Sequence, residues 1–305
     1  MEIRYLQRDE VDDAKWDGLI ARSPSETLYP YSWYLDASAE NWSALVVGDY
    51  EFIMPLTWRK KLGMPYAYQP VFCLQLGVFS EEVADTPVVE TFAGQVMRLY
   101  RLGVVQFNAA NVLGEGKGMK LADRQNYVLP LGKDYESLHK AYSENNRRNL
   151  KKALQSGNVL DLEVSLEELM ALKRSQDGDR KTEPEYQRME GQFRSVLEYS
   201  RAEILGVRKR EKLLTAAFMA FSRTRIIYLM SATTPEGKED RAMFQIMDAV
   251  IRKHAGADYS LDFEGSSIPS IARFFGGFGA GPEIYQQFSF NRFPRWFIFG
   301  RKYGR

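Results

Sequence analysis

The segment that decides the fold runs from residue 224 to residue 282 and reads TRIIYLMSATTPEGKEDRAMFQIMDAVIRKHAGADYSLDFEGSSIPSIARFFGGFGAGP. Residues 225–232 are an apolar run rich in β-forming side chains, which is typical of a strand buried on both faces. Residues 233–240 are a polar turn, residues 241–254 carry apolar side chains at helical spacing, and residues 259–263 are a second short apolar run. This order of strand, turn, helix and strand predicts a right-handed crossover.

The polar turn and the residues that follow the second strand are expected at one edge of the sheet, where open α/β sheets bind their ligands. The helix start offers free backbone N–H groups, and Lys238 and Arg241 add positive charge beside it. These features indicate an anion or phosphate site. An ordinary crossover with a solvated turn explains the same residues equally well.

Composition excludes several kinds of chemistry. The net charge of +1 argues against non-specific binding of nucleic acid, and the single cysteine, Cys73, excludes an internal disulfide and fits a reducing compartment such as the cytoplasm. No histidine or cysteine has metal-ligand spacing, so we expect no metal cofactor. No apolar run reaches the length of a membrane span and the N-terminus is acidic, so we expect neither a signal peptide nor stable membrane insertion.

Residues 134–156 are expected to form one strongly polar helix. Arg147, Arg148, Lys151 and Lys152 place four cations within six residues, while leucines still supply an apolar stripe. Like charges so close together repel one another, and a bound anion would relieve the repulsion. We therefore interpret this helix as a phosphate-recognition element, slightly ahead of the alternative of a solvated helix face.

An aromatic-rich stretch lies near the N-terminus and includes Tyr31 and Trp33. Aromatic side chains with polar tips suit a binding cleft for an acceptor, and they also suit a domain interface. Both interpretations stay open.

The two halves of the chain repeat one order of elements without measurable identity. The first half has a hairpin, a helix, the strand VVQFN (104–108) and a final strand NYVLPL (126–131); the second has a hairpin, a helix, the strand YSLDF (259–263) and a final strand IYQQFSF (284–290). This repeat predicts two similar subdomains, residues 1–132 and residues 133–305, with the basic helix 134–156 leading the second. A cleft between such subdomains is a usual place for a ligand.

The same order of elements is the core of the GNAT acyltransferase fold, and two such units in one chain resemble the FemAB group of tandem GNAT proteins. The basic segment NNRRNLKKA (145–153) and the endings LDFEGSS (261–267) and IARFFGGFGAGPEIY (271–285) carry the resemblance, which covers mainly residues 134–290. It implies an α/β (α+β) fold of two GNAT-like subdomains, each a mixed, mainly antiparallel sheet flanked by helices. The group includes bacterial aminoacyltransferases that build peptidoglycan bridges.

The resemblance implies transfer of an acyl or aminoacyl group from acyl-coenzyme A or aminoacyl-tRNA to an amine, on a small molecule or a cell-wall precursor. In such folds a backbone N–H where the central strands splay, here near residues 230–232, binds the oxyanion. Asp262 and Glu264 are the candidate bases, since alternation places them on one face, and Tyr285 is the candidate that protonates the leaving group. A structural role as caps of a helix starting near Ser266 or Ser267 explains the two carboxylates as well.

The donor contacts expected from this resemblance are Gly237, Lys238, Arg241, Arg147 and Arg148, with Tyr31 and Trp33 on the acceptor side. Two departures from the family stand out. The turn at residues 234–242 carries carboxylates where the family has an Arg/Gln-x-x-Gly-x-Gly/Ala pattern, and the long helical hairpin that some Fem enzymes use for tRNA has no room here.

Two function classes therefore remain: an acyl- or aminoacyltransferase, or a non-catalytic GNAT-like module that binds a ligand. A further hypothesis is contact with a membrane surface through the tail at residues 292–305, which mixes aromatic side chains with cations. A final strand at residues 295–299 followed by a basic tail explains that composition too. The sequence does not indicate an oligomeric state.

Overall fold

The computed structural model describes residues 1–265 and 268–293. They fold into two compact units. The first unit comprises Met1–Ser25, Ala39–Asp123 and the described residues from Tyr285 on, and the second comprises Glu26–Ser38 and the described residues of Arg124–Ile284.

Strands account for much of both units. In chain order they are β1 (Arg4–Gln7), β2 (Asn41–Val47), β3 (Phe52–Lys61), β4 (Met64–Ala67), β5 (Leu102–Gln106), β6 (Met119–Pro130), β7 (Val159–Asp161), β8 (Ala202–Lys209), β9 (Lys212–Phe221), β10 (Arg225–Thr233), β11 (Ser260–Gly265) and β12 (Gly281–Asn291). The helices are α1 (Asp13–Arg22), α2 (Ser32–Ser38), α3 (Thr86–Leu99), α4 (Tyr135–Lys140), α5 (Glu144–Gln155), α6 (Leu166–Asp177), α7 (Glu183–Tyr199), α8 (Pro235–Glu239), α9 (Ala242–His254) and α10 (Pro269–Gly276). Short 3-10 helices cover Arg8–Glu10 and Gly178–Arg180.

The two units have the same strand topology. The sheet of the first unit has the order β1-β2-β3-β4-β5-β12, and that of the second has the order β7-β8-β9-β10-β11-β6. In each sheet one pair of neighbours is parallel, β4 with β5 and β10 with β11, and the other described pairs are antiparallel. The predicted fold class, mixed and mainly antiparallel sheets flanked by helices, is confirmed.

The strand that completes each sheet comes from the other half of the chain: β6 completes the sheet of the second unit, and β12 completes the sheet of the first. Leu129 of β6 pairs with Leu261 of β11 in the second unit, and Phe288 of β12 pairs with Val105 of β5 in the first. The sequence assigned NYVLPL to the first half and IYQQFSF to the second, and that assignment was wrong. Pairing with the nearest preceding strand is only a tendency, and both segments are apolar enough to complete either sheet. The chain consequently divides along a different line from the predicted boundary between residues 132 and 133.

Each unit has its own apolar core. In the second unit Ile226 of β10, Phe263 of β11 and the α9 residues Ile246 and Val250 are buried together. The helical spacing of these α9 side chains puts them on one face, and burial of each contributes about 1.5–3 kcal/mol. In the first unit the core includes Phe92, Phe107 and the β12 residue Phe288.

Two local predictions need correction. The expected single helix at residues 134–156 is two helices, α4 and α5, because Asp134 and Ser143 each cap a new helix through their side chains. The polar turn before α9 contains the short helix α8, which Thr234 caps. Ser266 and Ser267, near which a helix was predicted to start, and the tail from residue 294 lie outside the described residues; helix α10 begins at Pro269, and neither Asp262 nor Glu264 caps it. Within the described chain, no helix combines the length and apolarity that crossing a membrane requires.

Candidate functional site

The parallel strands β10 and β11 pair over a short distance only. Their register runs from Arg225 opposite Ser260 to Ile227 opposite Asp262 and ends there. Just beyond that point, the pairing of β10 with β9 shifts register between Tyr228 and Met230. A bulge of this kind bends the strand and turns its side chains, and bulges are frequent beside active sites. The second half of β10 is therefore not paired with β11 in the region where the family resemblance predicts an oxyanion-binding N–H group.

A buried ion network closes the start of this strand pair. The Arg225 guanidinium donates to Asp262 Oδ2 at 2.8 Å and to Glu283 Oε1 at 2.7 Å. Asn126 Nδ2 adds a bond of 3.2 Å to Glu283 Oε2. Burial raises the pKa of Asp262, and the guanidinium beside it acts in the opposite direction. One oxygen of Asp262 is thus used to hold Arg225.

Glu264 differs sharply from Asp262 although the two lie two residues apart. Glu264 has a φ of 59°, and the pairing of β11 with β6 shifts register between Asp262 and Gly265. The alternation that was expected to put both carboxylates on one face therefore ends at Glu264. The left-handed backbone is held by a bond of 2.8 Å from Glu264 N to Asp262 Oδ1. A non-glycine residue in this region stores strain, which is characteristic of functional sites.

The Glu264 carboxyl group is half-buried and has one hydrogen-bond partner among the described residues, the Tyr29 hydroxyl, which donates to Oε1 at 2.8 Å. Burial raises the pKa of Glu264 to about 8; the Tyr29 bond lowers it, and the Asp262 charge raises it further. A carboxyl group that titrates near neutral pH can both accept and release a proton under physiological conditions.

A pocket in the second unit has a volume of about 1160 Å³. Its lining combines three arginines with amides, hydroxyls, aromatic rings and glycines and contains no carboxylate; the residues are Tyr127, Ser143, Asn145, Asn146, Arg148, Asn149, Arg241, Phe244, Ser270, Ala272, Arg273, Phe274, Gly276 and Gly277. None of the three guanidinium groups forms an ion pair within residues 1–265 and 268–293: Arg148 bonds Asn145 Oδ1 at 3.2 Å and Arg273 bonds the Pro269 carbonyl at 3.4 Å. Such a pocket suits an anionic ligand.

Hydrogen bonds connect helix α5 with helix α10, and the two helices form one side of this pocket. Asn146 is buried and donates from Nδ2 to the Phe274 carbonyl at 3.0 Å, and Ser143 N donates to the Gly277 carbonyl at 2.8 Å. A Cβ at position 277 would lie 2.4 Å from Asn146 Oδ1, so only glycine fits there. Arg148 lies two residues beyond Asn146 in α5 and so reaches the pocket from a helix that this contact holds in place.

Arg241 precedes α9 in a left-handed conformation with a φ of 60°, and no side chain of the described chain caps the helix there. Its guanidinium lies at the pocket beside the N-terminal end of the α9 dipole, which also favours anions. The carboxylates of the preceding turn point elsewhere: Asp240 bonds Lys209 at 2.7 Å and Glu236 bonds Lys212 at 3.2 Å. The acidic turn that departs from the family pattern therefore does not place its negative charge in the pocket lining.

The predicted donor contacts separate into two groups. Arg148 and Arg241 line the pocket, whereas Arg147, Lys238 and Gly237 do not. Gly237 is buried where a Cβ would come within 2.6 Å of the Leu214 carbonyl oxygen, which explains a glycine there by packing. A direct contact of these three residues with a donor stays a prediction.

The predicted acceptor residues form a stack. The Trp33 ring lies 6.0 Å from Tyr31 and 5.6 Å from Tyr199 of α7, with nearly parallel planes in both pairs. This arrangement packs α2 on α7 and leaves Tyr199 exposed. Tyr285 lies buried in β12, in the part of that strand that folds with the first unit. The roles of Tyr31, Trp33 and Tyr285 stay predictions.

A chain of aromatic contacts leads from the pocket toward Glu264. Tyr127 of the lining has its ring centroid 6.2 Å from that of Phe275, and Phe275 lies 6.2 Å from Tyr228 of β10. Burial raises the pKa of Tyr228 to about 12, with a smaller contribution from the Glu264 charge. The pocket and Glu264 thus belong to one continuous region of the second unit.

The structure reveals three site residues that sequence reasoning missed. Arg225 stands at the start of an apolar strand, and its charge there was the available signal that it has a buried partner. Arg273 lies in the segment IARFFGG, which was used only for the family resemblance. Tyr29 is 235 residues away from Glu264 in the chain, and the sequence contains no signal for that contact. The described side chains include no cluster of histidine, cysteine, aspartate or glutamate that could hold a metal ion.

Comparison with known proteins identifies the fold. No protein-family model matches the chain, and no curated protein matches it by sequence. Among solved structures, FemX aligns with a TM-score of 0.62 at 14% identity, over 94% of this chain and 97% of FemX. A tandem GNAT protein from the clavulanic acid biosynthesis pathway aligns with a TM-score of 0.57 at 10% identity, over 96% of this chain and 99% of that one.

A third similar structure is the C-terminal domain of a putative lysylphosphatidylglycerol synthetase from Agrobacterium fabrum. It aligns with a TM-score of 0.55 at 9% identity, over 92% of this chain and 91% of that domain. The chain therefore has a FemAB-like, tandem GNAT fold. At these identities the likeness concerns the fold alone.

Proposed function

We propose that the protein is an acyl- or aminoacyltransferase that binds the phosphate-bearing part of an activated donor in the arginine pocket and transfers the acyl group to an amine. The observation that supports the proposal is the pocket itself, which is lined by Arg148, Arg241 and Arg273 and by no carboxylate of the described residues. Three guanidinium groups without ionic partners repel one another, and a phosphorylated ligand relieves that repulsion.

Acyl-coenzyme A and aminoacyl-tRNA share the chemistry that this pocket recognises, an adenine nucleotide with several phosphate groups. The planar guanidinium group of arginine forms bidentate hydrogen bonds with phosphate. The rings of Tyr127, Phe244 and Phe274 offer surfaces on which a nucleotide base can stack. A volume of about 1160 Å³ is slightly above the usual range for small-ligand sites, roughly 300–1,000 Å³, which suits an extended donor.

The proposed reaction assigns one proton to Glu264. Its carboxylate takes a proton from the acceptor ammonium, and the amine nitrogen then attacks the acyl carbonyl carbon. The new C–N bond forms, the bond to the donor sulfur or ribose oxygen breaks, and the leaving atom takes the second amine proton. Backbone N–H groups of β10 near residues 230–232 stabilise the oxyanion, a contribution of about 3 kcal/mol for one good donor.

For the acceptor we propose an amine on a small molecule or on a bacterial peptidoglycan precursor, with the reaction in the cytoplasm. The FemAB-like fold supports this class of acceptor by analogy. The relative named as a lysylphosphatidylglycerol synthetase adds an aminoacylated lipid as a further product class to include in the screen.

Thermal unfolding against a donor panel tests the proposal. The panel comprises acetyl-coenzyme A, a long-chain acyl-coenzyme A, free coenzyme A and an aminoacylated tRNA acceptor stem. A ligand that binds only the folded protein raises the melting temperature. We expect a shift with one donor class that is lost in Arg148→Ala and Arg241→Ala.

Arg194→Ala is the matched control, because Arg194 is an exposed arginine of the same unit that pairs with Glu167 and Glu190. It should keep the full shift. A ligand that shifts the melting temperature but is never consumed with any amine would favour the non-catalytic binding module. The absence of a shift with every donor at millimolar concentration would contradict both.

A further inference from the structure

The segment that leads into α2 is connected to the rest of the second unit by partly buried hydrogen bonds. Tyr29 has an exposed fraction of 1% and is wedged edge-on against Tyr34, with ring centroids 5.8 Å apart. Glu26 is also buried and accepts hydrogen bonds from Arg223 N at 3.2 and 3.3 Å, beside the start of β10. The Tyr29 hydroxyl is therefore held in a fixed place relative to the site.

We propose that Tyr29 is a positioning residue for Glu264: its hydroxyl holds carboxyl oxygen Oε1 and leaves oxygen Oε2 directed to the acceptor amine. This inference rests on the proposed function for its consequence in catalysis. The hydrogen bond on which it depends can be tested without activity.

The geometry supports this division between the two oxygens. Oε1 receives the Tyr29 hydroxyl at 2.8 Å, while Oε2 has no hydrogen-bond partner within the described chain. The backbone of Glu264 is fixed separately, by the bond from its N–H to Asp262 Oδ1. Without the hydroxyl, the carboxyl group would keep its backbone anchor but could rotate about its own side-chain torsions, which is the freedom that catalytic positioning removes.

Three groups with titratable protons or charges face Glu264. Tyr29 comes from the segment before α2, Asp262 from the same strand, and Tyr228 from β10. Asp262 is itself engaged by Arg225, which also holds Glu283. Burial, followed by the negative charge of Glu264, raises the pKa of Tyr29 well above its ordinary value, so the phenol stays a donor throughout the neutral and mildly alkaline range.

The test variant is Tyr29→Phe, which keeps the buried ring and removes only the hydroxyl. Because a bond to a charged carboxylate favours the ionised form, its loss moves the Glu264 titration to higher pH. We expect kcat/KM to fall about tenfold at pH 7, where the displaced titration adds to the lost orientation, and by a smaller factor at pH 9.5, where only the lost orientation remains. The control is Tyr186→Phe, which removes another buried hydroxyl, 3.3 Å from Asp177, elsewhere in this unit.

A second measurement reads the bond directly. The Glu264 carboxyl carbon is followed against pH by 13C NMR in protein labelled at glutamate, with Glu264→Gln to assign the signal. Tyr29→Phe should displace that titration upward and Tyr186→Phe should leave it in place. An unchanged titration, or a kcat/KM equal to that of the parent at pH 9.5, would overturn the positioning role. A displaced titration in a protein that transfers no acyl group would instead uphold the hydrogen bond and contradict the proposed function.

Discussion

The two units share a strand plan but carry pockets of opposite charge. The pocket of the second unit gathers three arginines and no carboxylate in about 1160 Å³. The pocket of the first unit has about 650 Å³ and one arginine, Arg22, among five carboxylates, which are Asp49, Glu51, Glu81, Glu82 and Asp85. One fold therefore presents two unlike surfaces, and function has to be argued from the side chains at each of them rather than from the fold.

The charged groups of the two pockets also differ in what they already bind. In the first unit Asp49 pairs with Lys15 at 2.6 Å, Glu81 pairs with Arg22 at 2.7 Å, and Asp85 caps α3. In the second unit Arg148, Arg241 and Arg273 have no carboxylate partner among the described residues. The second pocket thus offers cations that no described carboxylate neutralises, whereas the first pocket offers carboxylates, three of which already bind a cation or cap a helix.

The largest effect is expected at Glu264. In Glu264→Gln the side chain can no longer take the ammonium proton, so kcat should fall by roughly 10²–10⁴. The matched control is Glu51→Gln in the acidic pocket, which should change kcat less than about twofold. Steady-state kinetics with the donor found in the thermal screen measures both. Equal losses in the two variants would remove the functional difference between the units.

The loss of Arg225 should have the next largest effect, on stability rather than on chemistry. Arg225→Ala leaves the buried Asp262 and the half-buried Glu283 without their cation, and removing one partner of a buried ion pair destabilises by about 3–5 kcal/mol. Arg22→Ala breaks an exposed pair in the acidic pocket and should cost at most about 1 kcal/mol. Urea unfolding at pH 7 compares them. A cost for Arg225→Ala as small as that for Arg22→Ala would show that the network is not needed for the fold.

A smaller effect is expected for the pocket arginines. Arg148→Ala or Arg241→Ala removes one charge-assisted contact to phosphate and should weaken donor binding by about 10- to 100-fold, equivalent to 1.5–3 kcal/mol. Calorimetric titration at several salt concentrations measures the affinity, and each variant should also show a shallower salt dependence than the parent. Arg22→Ala in the acidic pocket should bind the donor as the parent does. If a variant that lacks both Arg148 and Arg241 still binds the donor, the anion site lies outside this pocket.

Much of the second unit could be predicted from local sequence. The strand-helix-strand crossover of residues 225–263 could be predicted because its apolar residues recur at clear strand and helix spacings. Arg148 and Arg241 could be predicted as site residues because they are basic residues in or next to predicted helices. Arg147 could not be separated from Arg148 in this way. Which of two neighbouring side chains faces the pocket depends on where α5 begins, and the Ser143 cap sets that point.

The remaining features depend on contacts between distant residues. Apolar strands such as β6 and β12 can complete either sheet, so their exchange leaves no local mark. The left-handed backbone of Glu264 is stabilised by Asp262 and by a bulge against β6, and neither feature has a sequence signature. For that reason alternation misplaced Glu264 relative to Asp262, and no contact between Tyr29 and Glu264 was predicted.

The smallest predicted effect is a pH dependence of stability that belongs to Glu264 alone. Its pKa of about 8 in the folded protein lies above the ordinary value of 4.5, so the folded state binds this proton more tightly than the unfolded state does. The resulting stabilisation is complete below about pH 4.5 and is lost as pH rises to about 8. Glutamine at this position carries no such proton. The melting temperature of Glu264→Gln relative to the parent should therefore increase steadily between pH 5 and pH 8.5, by a few degrees in total. Glu51→Gln, in the acidic pocket, should show a constant difference over the same range. A constant difference for Glu264→Gln as well would mean that the carboxyl group titrates normally, and the base of the proposed reaction would then have to be sought at another residue.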